Sequence, residues 1–204
     1  MDLLTFRNVW VEYGDKVVLE NVDLSIKQGS FVSIVGPSGA GKSTFLRLAL
    51  GQEAPSKGAI DLDGRKLRAE PGPDRGVVFQ KYSVFPHLNA RDNVVFGLDC
   101  QGSPFWGRLS GAKRRAAAEQ ADRMLTAVGL GDSGDVYPAQ LSGGMQQRLA
   151  IAQALIKKPR ILLLDEPFGA LDPGVRLDMH ELITGLWRDN GIVFLRDRRE
   201  IRFA

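Results

Sequence analysis

Cysteine is all but missing from this 204-residue chain. The single thiol, Cys100, permits no internal disulfide, which fits a reducing cytosol. Long apolar runs are missing too: none approaches the roughly 20 residues of a membrane-spanning helix. The opening Met1-Asp2-Leu3-Leu4-Thr5-Phe6-Arg7 carries an acid where a secretory leader needs bases, and has no long apolar core. Neither sign of charge is in large excess. A net charge of +3 allows contact with anionic partners without demanding nucleic acid. Histidine occurs only at 87 and 180, and His87 has no second ligand nearby with which to hold a metal. No internal repeat is visible. What remains is the composition of a globular protein, 44% hydrophobic and 25% charged, long enough for one domain or one domain with an inserted lobe.

The richest stretch is Gly36-Pro37-Ser38-Gly39-Ala40-Gly41-Lys42-Ser43-Thr44. Four residues separate its first glycine from Gly41-Lys42-Ser43, the pattern of a loop that cradles polyphosphate. Phe31-Val32-Ser33-Ile34-Val35 before it reads as a buried strand, and residues 44–50 after it as a helix. Glycines let successive N–H groups turn inward, and the helix start adds partial positive charge. Lys42 is expected to pair with the β- and γ-phosphates and Ser43 to ligate Mg²⁺. A glycine-rich turn capping a helix by accident is the bland alternative. The strand, the lysine and the hydroxyl together argue against it, and for a site that takes ATP or GTP.

Around that loop the chain alternates between strands and helices. Leu3-Leu4-Thr5-Phe6, Val9-Trp10-Val11-Glu12-Tyr13, Val17-Val18-Leu19 and Val22-Asp23-Leu24-Ser25-Ile26 read as short strands of an antiparallel layer. Residues 58–64 look like a hairpin and residues 76–80 like a buried strand. The pattern turns helical from about Leu88 to Pro159, with a good helix former over 112–128 and residues 101–111 as a flexible loop. Leu109-Ser110-Gly111, followed by Ala112-Lys113-Arg114-Arg115, reads as a loop and a solvated basic helix face, with a nucleic-acid contact as the weaker alternative. Ile161-Leu162-Leu163-Leu164 has the unbroken apolar character of a parallel strand buried on both faces. An amphipathic helix over 175–187 and a strand over 192–195 follow. The fold class is α/β: a phosphate-loop NTPase core with a mainly parallel sheet, an N-terminal antiparallel β layer and an inserted helical subdomain. The expected organisation is one domain over 1–204, with the nucleotide-binding core and β layer in 1–87 plus 159–204 and the helical subdomain in 88–158.

Two further strings carry chemistry. The strand at 161–164 ends in Asp165-Glu166-Pro167. There Asp165 suits a contact to the metal and Glu166 suits polarising an attacking water. Acids and proline also mark the start of a helix, which is the plain alternative. In Leu141-Ser142-Gly143-Gly144-Met145-Gln146-Gln147-Arg148, Ser142 caps a helix whose apolar residues Met145, Leu149, Ala152, Leu155 and Ile156 recur at helical spacing. Gly143 and Gly144 leave bare N–H groups at its positive end, a second anion site.

Taken together, these residues resemble the ATP-binding subunit of ABC transporters, from the N-terminus to about Leu195. The Leu141–Arg148 string is similar to that family's signature. The resemblance implies a role for each matching position. Tyr13 stacks on adenine, although an ordinary strand tyrosine would look the same. Gly36, Pro37, Ser38, Gly39, Ala40, Gly41, Lys42, Ser43 and Thr44 form the phosphate loop. Gln80 senses Mg²⁺ and water and links to the membrane partner. Ser142, Gly143 and Gly144 close over the γ-phosphate of ATP held by a second copy. Asp165 contacts the metal, Glu166 is the catalytic glutamate, and Asp172 lies at the dimer interface. The implied cofactors are ATP and Mg²⁺, with Ser43, Gln80 and Asp165 around the ion and Glu166, Lys42 and Gln80 catalytic.

The implied assembly is a head-to-tail homodimer on paired permease subunits at the cytoplasmic face of the inner membrane, served indirectly by a periplasmic solute-binding protein. The run Arg75–Leu88 and the run Glu166–Asp172 are similar to the nitrate/sulfonate/taurine branch of importers and to its urea-related neighbours. Phe85-Pro86-His87-Leu88 reads as a surface loop entering a helix, or as a docking site for a permease helix.

One feature departs from the family. Its switch histidine is expected just after the last strand, where this chain has Arg198 or Arg199 in an arginine-rich tail that looks like a reading-frame change or a truncation. His180 is expected mid-helix on a polar face, away from that position. ATP binding is expected to survive and hydrolysis to be weak. A non-transport, ATP-gated clamp of the same superfamily and a vestigial nucleotide-binding protein are the alternatives.

Overall fold

Alternation of apolar and polar residues gives the N-terminal region two long strands, β1 (Asp2–Tyr13) and β2 (Lys16–Lys27), paired antiparallel. The computed structural model describes residues 2–70, 72–79, 84–102, 109–165 and 171–198. Of the breaks that divide this region into four pieces in the sequence, Gly14-Asp15 is the turn between the strands, and the other two are bulges, not ends. Asn8 and Asn21 take left-handed conformations, φ 48° and 47°, and the β1–β2 register shifts between Phe6 and Val9. Asparagine tolerates that region better than most side chains, so each strand kinks and continues. The Asn8 N–H donates to the Asp23 carboxylate at 2.8 Å, which holds the kink.

β3 (Phe31–Val35) leads through the glycine loop to α1 (Lys42–Leu50). β4 (Lys57–Leu62) then pairs antiparallel with β1, and a two-residue turn at Asp63 and Gly64, both at positive φ, returns the chain as β5 (Arg65–Lys66). The first sheet therefore runs β2-β1-β4-β5. The second collects β6 (Arg75–Val78), β7 (Ile161–Leu164) and β8 (Val193–Arg198) in the order β3-β8-β7-β6, with β8 parallel to both β3 and β7.

The core of this part of the chain lies between the two sheets and α1. Phe6 stacks on Phe45 with centroids 4.6 Å apart, and Leu48, Ala49, Leu50, Ile161, Leu163 and Val193 close around them. Each of the Phe, Leu, Ile and Val side chains among these contributes about 1.5–3 kcal/mol when fully buried. All four residues of β7 are buried, as an unbroken apolar strand in the sheet interior requires. β3 is different. It was expected to be buried, yet Ser33 is exposed and Val35 is 51% exposed, because β3 ends the strand order and is covered less than β7.

The chain divides into two compact units, residues 1–77, 160–166 and 187–204, and residues 78–159 and 167–186. The first holds both sheets and α1. The second holds α2 (Ala90–Gly102), α3 (Gly111–Ala127), α4 (Gly143–Leu155) and most of α5 (Pro173–Asn190). Its entry is stitched by Asn93, fully buried, whose amide donates to the carbonyls of Phe85, Leu88 and Asn89 while its oxygen accepts from the Phe85 N–H. Gln101 and Gly102, expected in a loop, instead close α2; residues 103–108 lie outside the described residues. α5 begins two residues before the expected helix and runs three beyond it.

Candidate functional site

A loop of three glycines joins β3 to α1 at the carboxyl end of the parallel sheet. Gly39 and Gly41 sit at φ 84° and 79°, a conformation other residues rarely adopt. At Gly41 space is also short: a Cβ there would lie 2.9 Å from both the Leu19 side chain and the Val18 carbonyl. Gly41 is the N-cap of α1, and no acidic residue occupies the first turn. The first N–H groups of the helix therefore face the loop with no carboxylate to compete for them. Lys42 is only 7% exposed, and its ammonium donates to the carbonyls of Gly36 at 2.8 Å and Pro37 at 2.9 Å. Ser43, next in the chain, is exposed, and Thr44 is buried.

The parallel pairing brings an acid to the same edge. Leu164 of β7 and Ser33 of β3 both register with Arg196 of β8, so Asp165 follows level with Ile34, two strands away. At ordinary strand spacing that is about 10 Å across the sheet. Ligands of open α/β sheets bind outside this carboxyl edge. A hydroxyl at Ser43 and a carboxylate at Asp165 offer the oxygen donors that Mg²⁺ accepts, so the residues present fit the ion. The loop fits a polyphosphate for the reasons already given. Gln80 and Glu166, the remaining members of the expected set, lie outside the described residues, as does Arg199.

Tyr13 ends β1 and is 48% exposed. Its phenol donates to the Glu53 carboxylate. Arg47 of α1 donates to Glu53 at 3.1 Å and to the Thr44 hydroxyl at 3.1 Å, and reaches the Tyr13 oxygen at 3.5 Å. Partial burial pulls the Arg47 guanidinium down, and the hydrogen bonds to Tyr13 and Glu53 outweigh that, so its affinity for the proton rises. Sequence reading misses Arg47 and Glu53. The only signal is their nearness to the loop, because Tyr13 lies 40 residues before Glu53 and meets it only through the fold.

In the second unit, the Ser142 hydroxyl accepts from the Met145 N–H at 3.3 Å and caps α4 as expected. Gly144 has a packing reason as well, since a Cβ would lie 2.6 Å from the Val175 side chain of α5. Gln147, also on α4, is 1% exposed and its amide nitrogen has no hydrogen-bond partner among the described residues. Asp172 is exposed and its carbonyl accepts the Arg176 N–H at the start of α5. His180 is half-buried within α5. Phe85, also half-buried, packs on Phe96 with centroids 4.4 Å apart, while Pro86 and His87 are exposed. Among the described residues no group of three or more His, Cys, Asp or Glu side chains forms a metal site, and no helix is long and apolar enough to cross a membrane.

A buried lysine turned into a glycine loop at a helix start, beside an acid-ended strand, defines the phosphate-loop nucleotide-binding class. Residues 19–169 match the family model described as ABC transporter, and the chain belongs to that family. It is 46% identical to a putative ATP-binding protein of Brucella abortus, over 98% of this chain and 70% of that one. It is 45% identical to the nitrate import ATP-binding protein NrtD of Synechocystis, over 92% of this chain and 67% of that one. Its structure superposes on cbiO1 of Clostridium perfringens, part of the ABC transporter complex cbiONQ, with a TM-score of 0.86 at 26% identity, covering 98% of this chain and 80% of that one. ATP-binding proteins of this family are ATPases coupled to transport.

Proposed function

We propose that this chain is the ATP-binding subunit of an importer for a small solute of the nitrate/sulfonate/taurine or urea-related type. The observation that carries the reading is the phosphate loop: left-handed Gly39 and Gly41 before a helix start, with Lys42 buried and turned inward. The N–H groups opening α1 and the Lys42 ammonium would hold the β- and γ-phosphates of ATP. Ser43, Gln80 and Asp165 would hold Mg²⁺, which supplies charge neutralisation when bound. Glu166 accepts the proton of the attacking water. The exposed ring of Tyr13 stacks on the adenine.

Ser142, Gly143 and Gly144 present the start of α4 to the nucleotide of a second copy, so that the homodimer is head-to-tail with Asp172 at its interface. The nucleotide-binding core is residues 1–87 with 159–204, and residues 88–158 form the helical subdomain that meets the permease. Phe96 within it and Phe85 just before it are the docking aromatics. The complex sits at the cytoplasmic face of the membrane, where a periplasmic binding protein delivers the solute to the permease. The similarity to NrtD supports this solute class.

Hydrolysis is slow. An arginine at 198 or 199, in place of histidine, supplies charge but no imidazole to fix the γ-phosphate and water. Tagged protein isolated from its own membranes tests the assignment. It is expected to carry a polytopic membrane protein with it and to turn over ATP slowly. Recovery with nucleic acid and no membrane protein would contradict transport, and turnover matching that of NrtD would contradict the impairment.

A further inference from the structure

Four side chains form one continuous hydrogen-bonded line from the exposed ring of Tyr13 to the phosphate loop. The Tyr13 phenol donates to Glu53, Arg47 donates to Glu53, and the same guanidinium donates to Thr44. Glu53 and Arg47 reach no nucleotide position of their own in the reading above. They reach two groups that do: a base platform at one end and a loop residue at the other. We propose that Glu53 and Arg47 are positioning residues that set the Tyr13 ring against the phosphate loop, and so govern affinity for the base of the nucleotide and not for its phosphates. This rests on the ATP-binding assignment of the phosphate loop.

The arrangement suits that task. Tyr13 stands at a strand end beside the turn Gly14-Asp15, and about half of its surface is open. Held at the phenol by a carboxylate, the ring keeps its face free while losing rotamers it would otherwise have to give up on binding. Glu53 is the better shielded partner, with its side chain 19% exposed against 47% for Arg47. It follows Gly51, the left-handed cap that ends α1, and the Gln52 N–H beside it donates to the Arg47 carbonyl at 3.0 Å, which ties the turn carrying Glu53 to the helix carrying Arg47. A second tie holds the same segment to β1: the Glu12 N–H donates to the Ser56 hydroxyl at 3.0 Å, and Lys57 bridges to the Glu12 carboxylate at 2.9 Å.

The test uses the full chain and two probes, ATP and inorganic tripolyphosphate, the second lacking base and ribose. Dissociation constants for both are measured by calorimetry in wild type, Tyr13→Phe, Glu53→Gln, and the double variant, with melting temperatures alongside. Tyr13→Phe keeps the ring and removes its tether; Glu53→Gln keeps the shape and removes the charge. Each is expected to weaken ATP about 10-fold and leave tripolyphosphate unchanged, and the double variant is expected to be no worse than either single one. Arg47→Lys, which keeps the charge but not the fork that bridges Glu53 and Thr44, is expected to lose ATP affinity selectively as well. Equal losses for both probes, or ATP affinity unchanged in Glu53→Gln, would overturn the positioning role while leaving the phosphate loop in place. Failure of both probes to bind wild type would instead overturn the ATP-binding assignment, and the positioning role with it.

Discussion

Lys42 carries its charge inward, to the carbonyls of Gly36 and Pro37, and its place beside the helix start makes it the strongest single anion contact the loop can offer. Lys42→Ala is therefore expected to weaken ATP by about 100-fold, the usual loss when a desolvated charge pair is truncated. Titration calorimetry reads this directly; an affinity within a factor of a few of wild type would remove Lys42 from the site. This residue was legible from the sequence because everything that positions it is local: one strand, one loop and one helix within twenty residues. Ser142 was legible for the same reason, since a cap and the N–H it accepts from are three residues apart. Glu53 and Arg47 were not. Their significance comes from Tyr13, which β2, β3 and the glycine loop separate from them along the chain. Gly144 was half legible: the glycine reads as an anion site, while its steric need comes from Val175, thirty-one residues on.

At the scale of elements, apolar character told strand from helix and did not tell a central strand from an outer one. β7 and β3 are both short apolar runs, yet β7 is wholly buried and β3 is not, because burial depends on neighbours that only strand order supplies. Leu163 lies in the core between the sheets, so Leu163→Ala is expected to cost about 3 kcal/mol in chemical denaturation. A loss below 1 kcal/mol would show that the core is not packed there as described. The four short strands read at the N-terminus became two long ones because positive φ at Asn8 and Asn21 is invisible in a hydrophobic pattern.

The Asp63 turn adds a pH-dependent tie. A hydrogen bond from Arg160 at 3.1 Å, and then its charge, hold the Asp63 carboxyl below the ordinary carboxylate value. A group with a lowered folded value stabilises above its unfolded value of about 4 and loses that contribution as pH falls through the folded one. Asp63→Asn is expected to lower the melting temperature slightly at pH 7, with the difference from wild type narrowing as pH falls through the lowered Asp63 value. A difference that widens on acidification would reverse the sign of this argument.

At the scale of the whole molecule, the fold class and family were legible because their signals are spread along most of the chain: the glycine loop near the start, the capped signature helix in the middle, the acid-ended strand near the end. The same spread explains what was not legible. Two compact units interleave in sequence, so their limits follow from contacts that no linear pattern encodes. The account rests on the glycine loop of the first unit taking the triphosphate of ATP. Calorimetric titration of the purified chain with ATP and Mg²⁺ tests this most directly. The account predicts saturable binding at one site per chain, abolished by excess tripolyphosphate. No heat of binding at millimolar ATP, or binding that tripolyphosphate leaves intact, would contradict it.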